Sequence, residues 1–176
     1  MEIKIPFYNI LNMFLTGLVF IGGCTMVYPE VASNILLSDV MVSLGTGPEI
    51  VFTVCVFAAA YEVGLIINRI GSVIIEPIFK KVKLIPFNDD YKEFNKKKKG
   101  FPIMSTLSRE YALSRTGVAL FGILSAVAYH GDSKFLGRVF VMTAVIYYLS
   151  YRKHARKIVT LMEKDATADE KGSDKE

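Results

Sequence analysis

The chain is poor in residues that usually carry chemistry, since its 176 residues include no tryptophan, two cysteines and two histidines. The cysteines, Cys24 and Cys55, are too few for a disulfide framework or a four-ligand zinc site, and both lie in apolar segments. The Walker, GxSxG and HExxH motifs are also missing. The sequence therefore does not indicate an enzyme, and we expect neither a cofactor nor a metal.

Charge is missing from a long stretch near the N-terminus. Between Lys4 and Glu30 lie 25 uncharged residues, and as a helix they extend about 37 Å, more than the roughly 30 Å of bilayer hydrocarbon. A signal peptide is the competing interpretation, but little positive charge precedes the run and no small-residue cleavage site closes it. We therefore predict an uncleaved transmembrane helix near residues 7–28.

A second apolar stretch follows the loop signals Gly45, Gly47 and Pro48. Residues 50–67 contain one charge, Glu62, and predict a second membrane span. An amphipathic helix should continue this span and then kink or end at Pro77, which has no backbone N–H.

Two further apolar runs, 116–131 and 135–151, are separated by turn-forming residues. Both are near the lower length limit for crossing a bilayer. They form either two more spans or the buried hairpin of a helical domain outside the membrane. We thus predict an all-α fold, a helical integral membrane protein with two to four transmembrane helices and a basic cytoplasmic helical region.

The predicted organisation has four parts. They are an N-terminal transmembrane region with an amphipathic helix extension (1–79), a basic cytoplasmic loop and helix (80–115), a helical hairpin with a basic exit (116–162) and a disordered tail (163–176). Within the second part, we expect Ser105 to cap a polar helix that leads into the third apolar run.

The distribution of basic residues predicts the orientation. If four helices cross the membrane and the N-terminus is inside, 19 of the 21 Lys and Arg residues lie inside, and only Lys134 and Arg138 lie outside. This bias follows the positive-inside rule. We expect a multi-pass protein of the cell inner membrane with both termini in the cytoplasm.

Four charged residues of alternating sign recur every seven positions, at Glu62, Arg69, Glu76 and Lys83. Seven residues rotate an α-helix by about 700°, so the four would share one face if the helix continued through Pro77. They are candidates for lining a water-filled pore or for pairing between protomers, because charges at membrane depth need partners. In the alternative interpretation, only Glu62 reaches the membrane edge and the other three are solvated.

Small side chains follow one side of the third apolar run, at Ala119, Gly122 and Ala126. In lipid such residues let helix backbones approach closely, either within one protomer or between copies. The first helix carries glycines suited to the same role at Gly17, Gly22 and Gly23.

A basic cluster directly follows the fourth run, at Arg152, Lys153, His154, Arg156 and Lys157. We expect it to anchor the helix and to attract anionic membrane lipid, with about 1 kcal/mol for each basic residue near the surface. The phosphates of RNA are the alternative ligand.

The order of these features resembles a known family. After the first helix come the segments YEVG (61–64), NRIGS (68–72) and Glu76-Pro77, then a basic loop, SREY (108–111) and the hairpin with its basic exit. Over most of the chain, this layout resembles the small membrane accessory proteins encoded beside type VI-B CRISPR RNA-targeting nucleases. The resemblance implies an oligomeric ring that forms a pore, compromises the inner membrane and enhances RNA-guided antiphage defence. It also implies a functional link to the nuclease or its RNA products.

The family has also been described with a divergent Arg-x(4–6)-His motif of HEPN ribonucleases, and this sequence departs from it. The positions that would pair an arginine with His154 hold Tyr147, Tyr148 and Leu149, and those for His130 hold Ile123, Leu124 and Ser125. We therefore transfer no nuclease residue. The alternatives to a pore are a membrane-anchored RNA-binding or HEPN-like ribonuclease module, and a non-pore membrane adaptor that recruits a cytoplasmic partner.

Overall fold

The computed structural model describes residues 7–36, 46–86 and 102–173, and the elements formed by these residues are all helical. In chain order they are α1 (Phe7–Val27), α2 (Pro29–Leu36), α3 (Thr46–Ile70), a π-helical segment (Gly71–Ile75), α4 (Glu76–Lys81), α5 (Pro102–His130) and α6 (Lys134–Ser173). The prediction of an all-α fold is confirmed. Residues 87–101, the centre of the predicted basic loop, lie outside the described residues.

Three helical stretches are long and apolar enough to cross a bilayer, namely Phe7–Val27, Ile50–Lys81 and Ile103–His130. This number is within the predicted range of two to four transmembrane helices. The three stretches indicate a membrane protein. Large apolar side chains project outward, including Val54 (59% exposed) and Met142 (69% exposed). Water-soluble monomers rarely expose large contiguous apolar areas, whereas lipid chains solvate such a surface.

The first two long helices, α1 and α3, form an antiparallel pair with very close backbones. Gly17 of α1 lies against the carbonyl group of Ala60. One turn away, Gly64 of α3 lies against the carbonyl group of Met13. Because both contacts need a residue without a Cβ, the glycines set the distance between the two helices.

The other pair, α5 and α6, is joined by a short turn at residues 131–133. Gly117 of α5 lies against the ring of Tyr147, and towards the turn Gly137 of α6 lies against the ring of Tyr129. Since α5 also contacts α1 and α3, it holds the two pairs together. The buried core between the helices consists of Val27, Ile67, Ala119, Leu120, Leu124, Ala128 and Phe140.

The helix that begins as α3 continues past Pro77, where the sequence predicts a kink or an end. The turn before the proline widens into the π-helical segment, and the Glu76 N–H bonds to the carbonyl oxygen of Gly71, five residues earlier. A proline ring disrupts a regular α-helix because it removes an N–H and clashes with the preceding turn. The wider π turn makes room for it, so the helical path reaches Lys81.

Two predicted helix ends also differ from the structure. The helix α5 begins at Pro102, so Ser105 does not cap it; instead the Ser105 carbonyl oxygen accepts a 3.4 Å hydrogen bond from the Arg109 side chain. At the other end, α6 is helical to Ser173, whereas the sequence predicts a disordered tail from residue 163. Lengthening an existing helix is easier than nucleating one, and this segment is rich in Ala, Glu and Lys, which favour helix.

Candidate functional site

Polar side chains gather at one end of the helices, where α4 ends and the first half of α5 faces the middle of α6. The hydroxyl of Tyr151 donates a hydrogen bond of 2.8 Å to the hydroxyl of Tyr111. One turn closer to the apolar core, the hydroxyls of Ser114 and Ser150 are 3.0 Å apart. We call this region the polar end of the molecule.

An ion pair between Glu76 and Arg115 joins the helical path of α3 and α4 to α5. The Glu76 carboxylate also lies 2.8 Å from Lys80 Nζ. Next to it, the side-chain oxygen of Asn68 accepts hydrogen bonds from Thr116 Oγ1 at 2.9 Å and from Arg115 at 3.5 Å. We refer to Asn68, Glu76, Lys80, Arg115 and Thr116 as the polar centre.

Both charges of this ion pair are largely removed from solvent, with 15% of the Glu76 side chain and 13% of the Arg115 side chain exposed. Such a pair contributes little net stability compared with apolar residues of similar volume, but the removal of one partner is costly. Arg115 Nε is buried and has no hydrogen-bond partner among the described residues. The polar centre therefore fixes the relative position of the helices more than it stabilises the fold.

The structure divides the predicted stripe of charges. Glu62 and Arg69 are exposed on the outer surface of α3, whereas Glu76 faces α5. A π-helical turn inserts one extra residue, which rotates the following helix by about 100° relative to the preceding one. Lys83 lies beyond the end of α4 and is exposed. Only Glu62 and Arg69 therefore share the predicted outward face.

Glu62 lies on a mainly apolar outer surface. Exposed Val54 and Phe57 precede it on α3, and Ile66 follows one turn later with 57% of its surface exposed. Glu62 itself is 12 residues after the start of the candidate span at Ile50, or about 18 Å along the helix. The carboxylate is thus placed inside a stretch whose outer surface is mainly apolar, with Arg69 as the other charge on that face.

A cleft of about 500 Å³ opens at the polar end between the end of α4 and α6. Its walls carry four cationic side chains and the short segment 84–86. The cations come from two parts of the chain, Lys80 and Lys83 on one side and Arg152 and Arg156 on the other. We call this site the basic cleft.

The turn after α4 places Lys83 in the cleft. Lys83 has a φ of 57°, in the left-handed region that favours glycine. Its N–H bonds to the Lys80 carbonyl at 3.0 Å, and the Leu84 N–H bonds to the Phe79 carbonyl, also at 3.0 Å. These two bonds form a Schellman motif, which ends the helix and turns the chain back towards α6.

An aromatic cluster supports the floor of the cleft. Ile85 packs with Tyr151 and Ala155, and Phe79 and Tyr111 cover the same group. Because Tyr151 and Ile85 are 0% and 3% exposed, the segment after α4 is anchored to α6 by well-buried contacts. The basic cleft is therefore held by the packing of three helices.

The predicted basic cluster on α6 is also divided. Only Arg152 and Arg156 line the cleft, while Lys153 and Lys157 are exposed elsewhere on the helix. His154 is half-buried, and its Nδ1 lies 3.2 Å from a carboxylate oxygen of Glu110. The cluster thus provides two cations for the cleft and two for the open surface.

The predicted helix-packing residues have different surroundings. Ala119 is 2% exposed and belongs to the core, whereas Gly122 and Ala126 are exposed. In α1, Gly17 and Gly23 make close contacts, while the position where a Cβ would lie on Gly22 is open space. Close packing within the protomer therefore involves Ala119, and Gly122 and Ala126 face outward.

Sequence reasoning overlooked the polar centre and half of the basic cleft. Arg115 is the last charge before the third apolar run, and Glu76 is the last acidic residue of the second. Opposite charges at the boundaries of two apolar runs were a usable signal for a pair. The contribution of residues 84–86 depends on a turn that has no glycine, so no local signal indicated it.

The arrangement is suited to binding anions through several cations around one cleft. Among the described residues, no group of three or more His, Cys, Asp or Glu side chains is placed to hold a metal ion. Comparisons of the chain with protein-family models, with curated proteins and with solved structures find no match.

Proposed function

We propose that copies of this protein assemble into a ring-shaped pore in the cell inner membrane. The pore acts as an accessory or effector of RNA-guided antiphage defence and permeabilises or depolarises that membrane. The observation that carries the pore is the exposed carboxylate of Glu62 on the apolar outer surface of α3. The defence context is supported by the resemblance of the feature order to accessory proteins of type VI-B CRISPR systems.

A charge at membrane depth needs a polar partner or water. Glu62 is exposed and faces away from the interior of its own protomer, where Ala60, Leu124 and Ala128 are 0% exposed. A polar environment for Glu62 at that depth is therefore best supplied by a surface shared between protomers. Arg69, two turns away and also exposed, supplies the opposite charge for a reciprocal contact. Identical subunits usually close such contacts with cyclic symmetry.

The experiment compares Glu62→Arg, Arg69→Glu and the double variant by light scattering in mild detergent and by ion leakage from liposomes. We expect a multimeric ring with leakage for the unchanged protein. Each single reversal should reduce the fraction of assembled ring and the rate of ion leakage by about tenfold or more. The double variant should recover most of both, because an unpaired charge costs more than a lost pair. Lys157→Glu, an exposed reversal at the polar end, is the matched control and should change neither.

A monomer with tight liposomes would contradict the pore and leave the membrane adaptor as the explanation. Small and equal effects of all three variants would mean that the two charges are only solvated. The defence role is tested by phage challenge of cells that carry a type VI-B nuclease, with and without this protein. We expect protection to increase only when both are present and to be lost with Glu62→Arg.

A membrane-anchored RNA-binding or HEPN-like ribonuclease module is the second candidate, favoured by the basic cleft. In this case the purified protein would bind or cleave RNA, and His154→Ala would abolish the cleavage. Cleavage without ion leakage would replace the pore by this function.

A further inference from the structure

We propose that the basic cleft binds the phosphate of an anionic membrane lipid at the bilayer surface. This inference goes beyond the pore and depends only on the location of the protein in a membrane. It concerns one protomer, so a monomeric protein would bind the lipid equally well. Failure of the pore and failure of lipid binding can therefore be distinguished.

Two pairs of cations converge on one volume. Arg152 and Arg156 are four residues apart and lie on the same side of α6. They face Lys83, which the turn after α4 brings to the opposite wall. Cations held this close repel each other unless an anion lies between them, and phosphate oxygens accept several charge-assisted hydrogen bonds at once.

Lys80 extends the cationic wall towards the polar centre. Its Nζ lies 2.8 Å from Glu76, so one acidic group already balances part of its charge. Among the described residues, no ion pair involves Lys83, Arg152 or Arg156. The described residues that line the cleft therefore carry a net positive charge, and its unbalanced part lies on the side away from the polar centre.

The cleft lies at the depth of lipid headgroups. Its floor contacts Tyr111, five residues before the apolar run that begins at 116, or about 7 Å along α5. The opposite wall follows Lys81, at the end of the 32-residue candidate stretch that begins at Ile50. That stretch is about 48 Å long, more than the roughly 30 Å of hydrocarbon, so its end projects beyond the hydrocarbon. Both observations place the cations outside the hydrocarbon, on the side of the lipid headgroups.

The walls combine cations with apolar groups. Leu84, which is 40% exposed, lines the cleft beside Lys83, followed by Ile85 and Pro86. A lipid offers a phosphate joined to an apolar glycerol ester region, which matches this combination. Sites for single-stranded RNA instead add exposed aromatic rings that stack on bases, but none of the described residues that line this cleft is aromatic, and Tyr151 in its floor is 0% exposed. The observations thus favour a lipid over RNA.

The test titrates the full-length protein in neutral detergent with dioctanoyl phosphatidylglycerol and measures bound lipid by native mass spectrometry. The variant Arg152→Ala/Arg156→Ala should raise the half-saturating concentration about tenfold or more, because two charge-assisted contacts are lost. The matched control is Lys153→Ala/Lys157→Ala, which removes the same charge from the same helix outside the cleft and should change it less than about threefold.

Lys83→Gly serves as a second variant with little risk to folding. Glycine suits the φ of 57° at this position, so the turn is kept while one cation is removed. We expect weaker lipid binding with an unchanged or higher melting temperature. Unchanged binding would contradict the assignment of Lys83 to the site.

Other phosphate-containing ligands test whether the cleft recognises an anionic lipid or any phosphate group. Dioctanoyl phosphatidylcholine, glycerol 3-phosphate and inorganic phosphate should each bind at least about tenfold more weakly than phosphatidylglycerol. Equal binding of glycerol 3-phosphate would overturn the lipid assignment, because the apolar wall would then contribute nothing. If the two double variants lost lipid binding equally, the binding would come from the general attraction of a basic surface and not from the cleft. A short RNA that displaces the lipid at lower concentration would make the cleft an RNA site and refute the proposal.

Discussion

Gly17 and Gly64 determine how closely α1 and α3 pack. A Cβ on either residue would overlap a backbone carbonyl of the opposite helix, Ala60 in one case and Met13 in the other. Backbone atoms cannot move aside as a flexible side chain can, so both helices would have to separate. Gly22 is in the same helix as Gly17 but faces open space, which makes it a natural control.

We expect Gly17→Ala and Gly64→Ala to destabilise the protein by roughly 1–3 kcal/mol, the usual cost of overpacking. Gly22→Ala should be neutral or stabilising by up to about 1 kcal/mol, since alanine is the better helix former. Thermal unfolding in detergent measures all three. Equal effects at Gly17 and Gly22 would show that α1 and α3 do not touch in this way.

The sequence alone does not separate these glycines. Glycine in an apolar run predicts close helix packing in lipid, and this holds at Gly17 and Gly23. Gly22 has the same chemistry and differs only in the direction it faces. That direction depends on how α1 crosses its neighbours, and a single sequence does not contain this information.

At the scale of elements, the uncharged runs locate the helices well, because an apolar stretch of sufficient length has few other stable forms in a membrane. The junction at Pro77 was harder to predict. The sequence indicates a disturbed helix there, but several solutions exist, among them a kink, a break and a wider turn. In the structure the wider turn occurs together with the ion pair that Glu76 forms with Arg115, and the local sequence does not show this tertiary contact.

This ion pair should act as a brace between α4 and α5. Arg115→Ala leaves the largely buried Glu76 carboxylate with Lys80. It should cost up to about 3 kcal/mol, the lower end of the cost of breaking a buried pair, because Lys80 still balances part of the charge. The double variant Glu76→Leu/Arg115→Met should recover most of this loss, since both charges of the buried pair are then removed and Lys80, with 29% of its side chain exposed, is closer to solvent. Unfolding in detergent is the measurement.

Arg109→Ala is the control, because Arg109 is exposed on the same helix and its contacts are weak. It bonds to Ser105 within the helix and lies 5.8 Å from the centre of the exposed Tyr8 ring. It should change stability by about 1 kcal/mol or less. If Arg115→Ala behaved like Arg109→Ala, the brace would have no energetic role.

For the whole molecule, the two alternatives that remain are that α5 and α6 cross the membrane or that they form a hairpin outside it. The three stretches that are apolar and long enough to cross a bilayer include α5. Among the described residues, α6 is not one of them, yet it runs antiparallel to α5 along the apolar part of both helices. If α5 crosses the membrane, α6 must return through it, because Tyr147 and Tyr129 hold the two helices together at separate levels. The basic residues 152–157 then lie on the same side as the start of α5.

Two lysines of α6 test this topology. Lys134 and Lys153 are both exposed and lie 19 residues apart, about 28 Å along a helix and close to the thickness of the hydrocarbon. In a background without Cys24 and Cys55, we expect an impermeant thiol reagent to label Lys134→Cys from outside intact cells. Lys153→Cys should be labelled only after the cells are opened, because the positive-inside rule keeps the basic cluster in the cytoplasm. If neither cysteine is labelled until the cells are opened, the two helices form a cytoplasmic hairpin and the basic cleft approaches the membrane only from its surface.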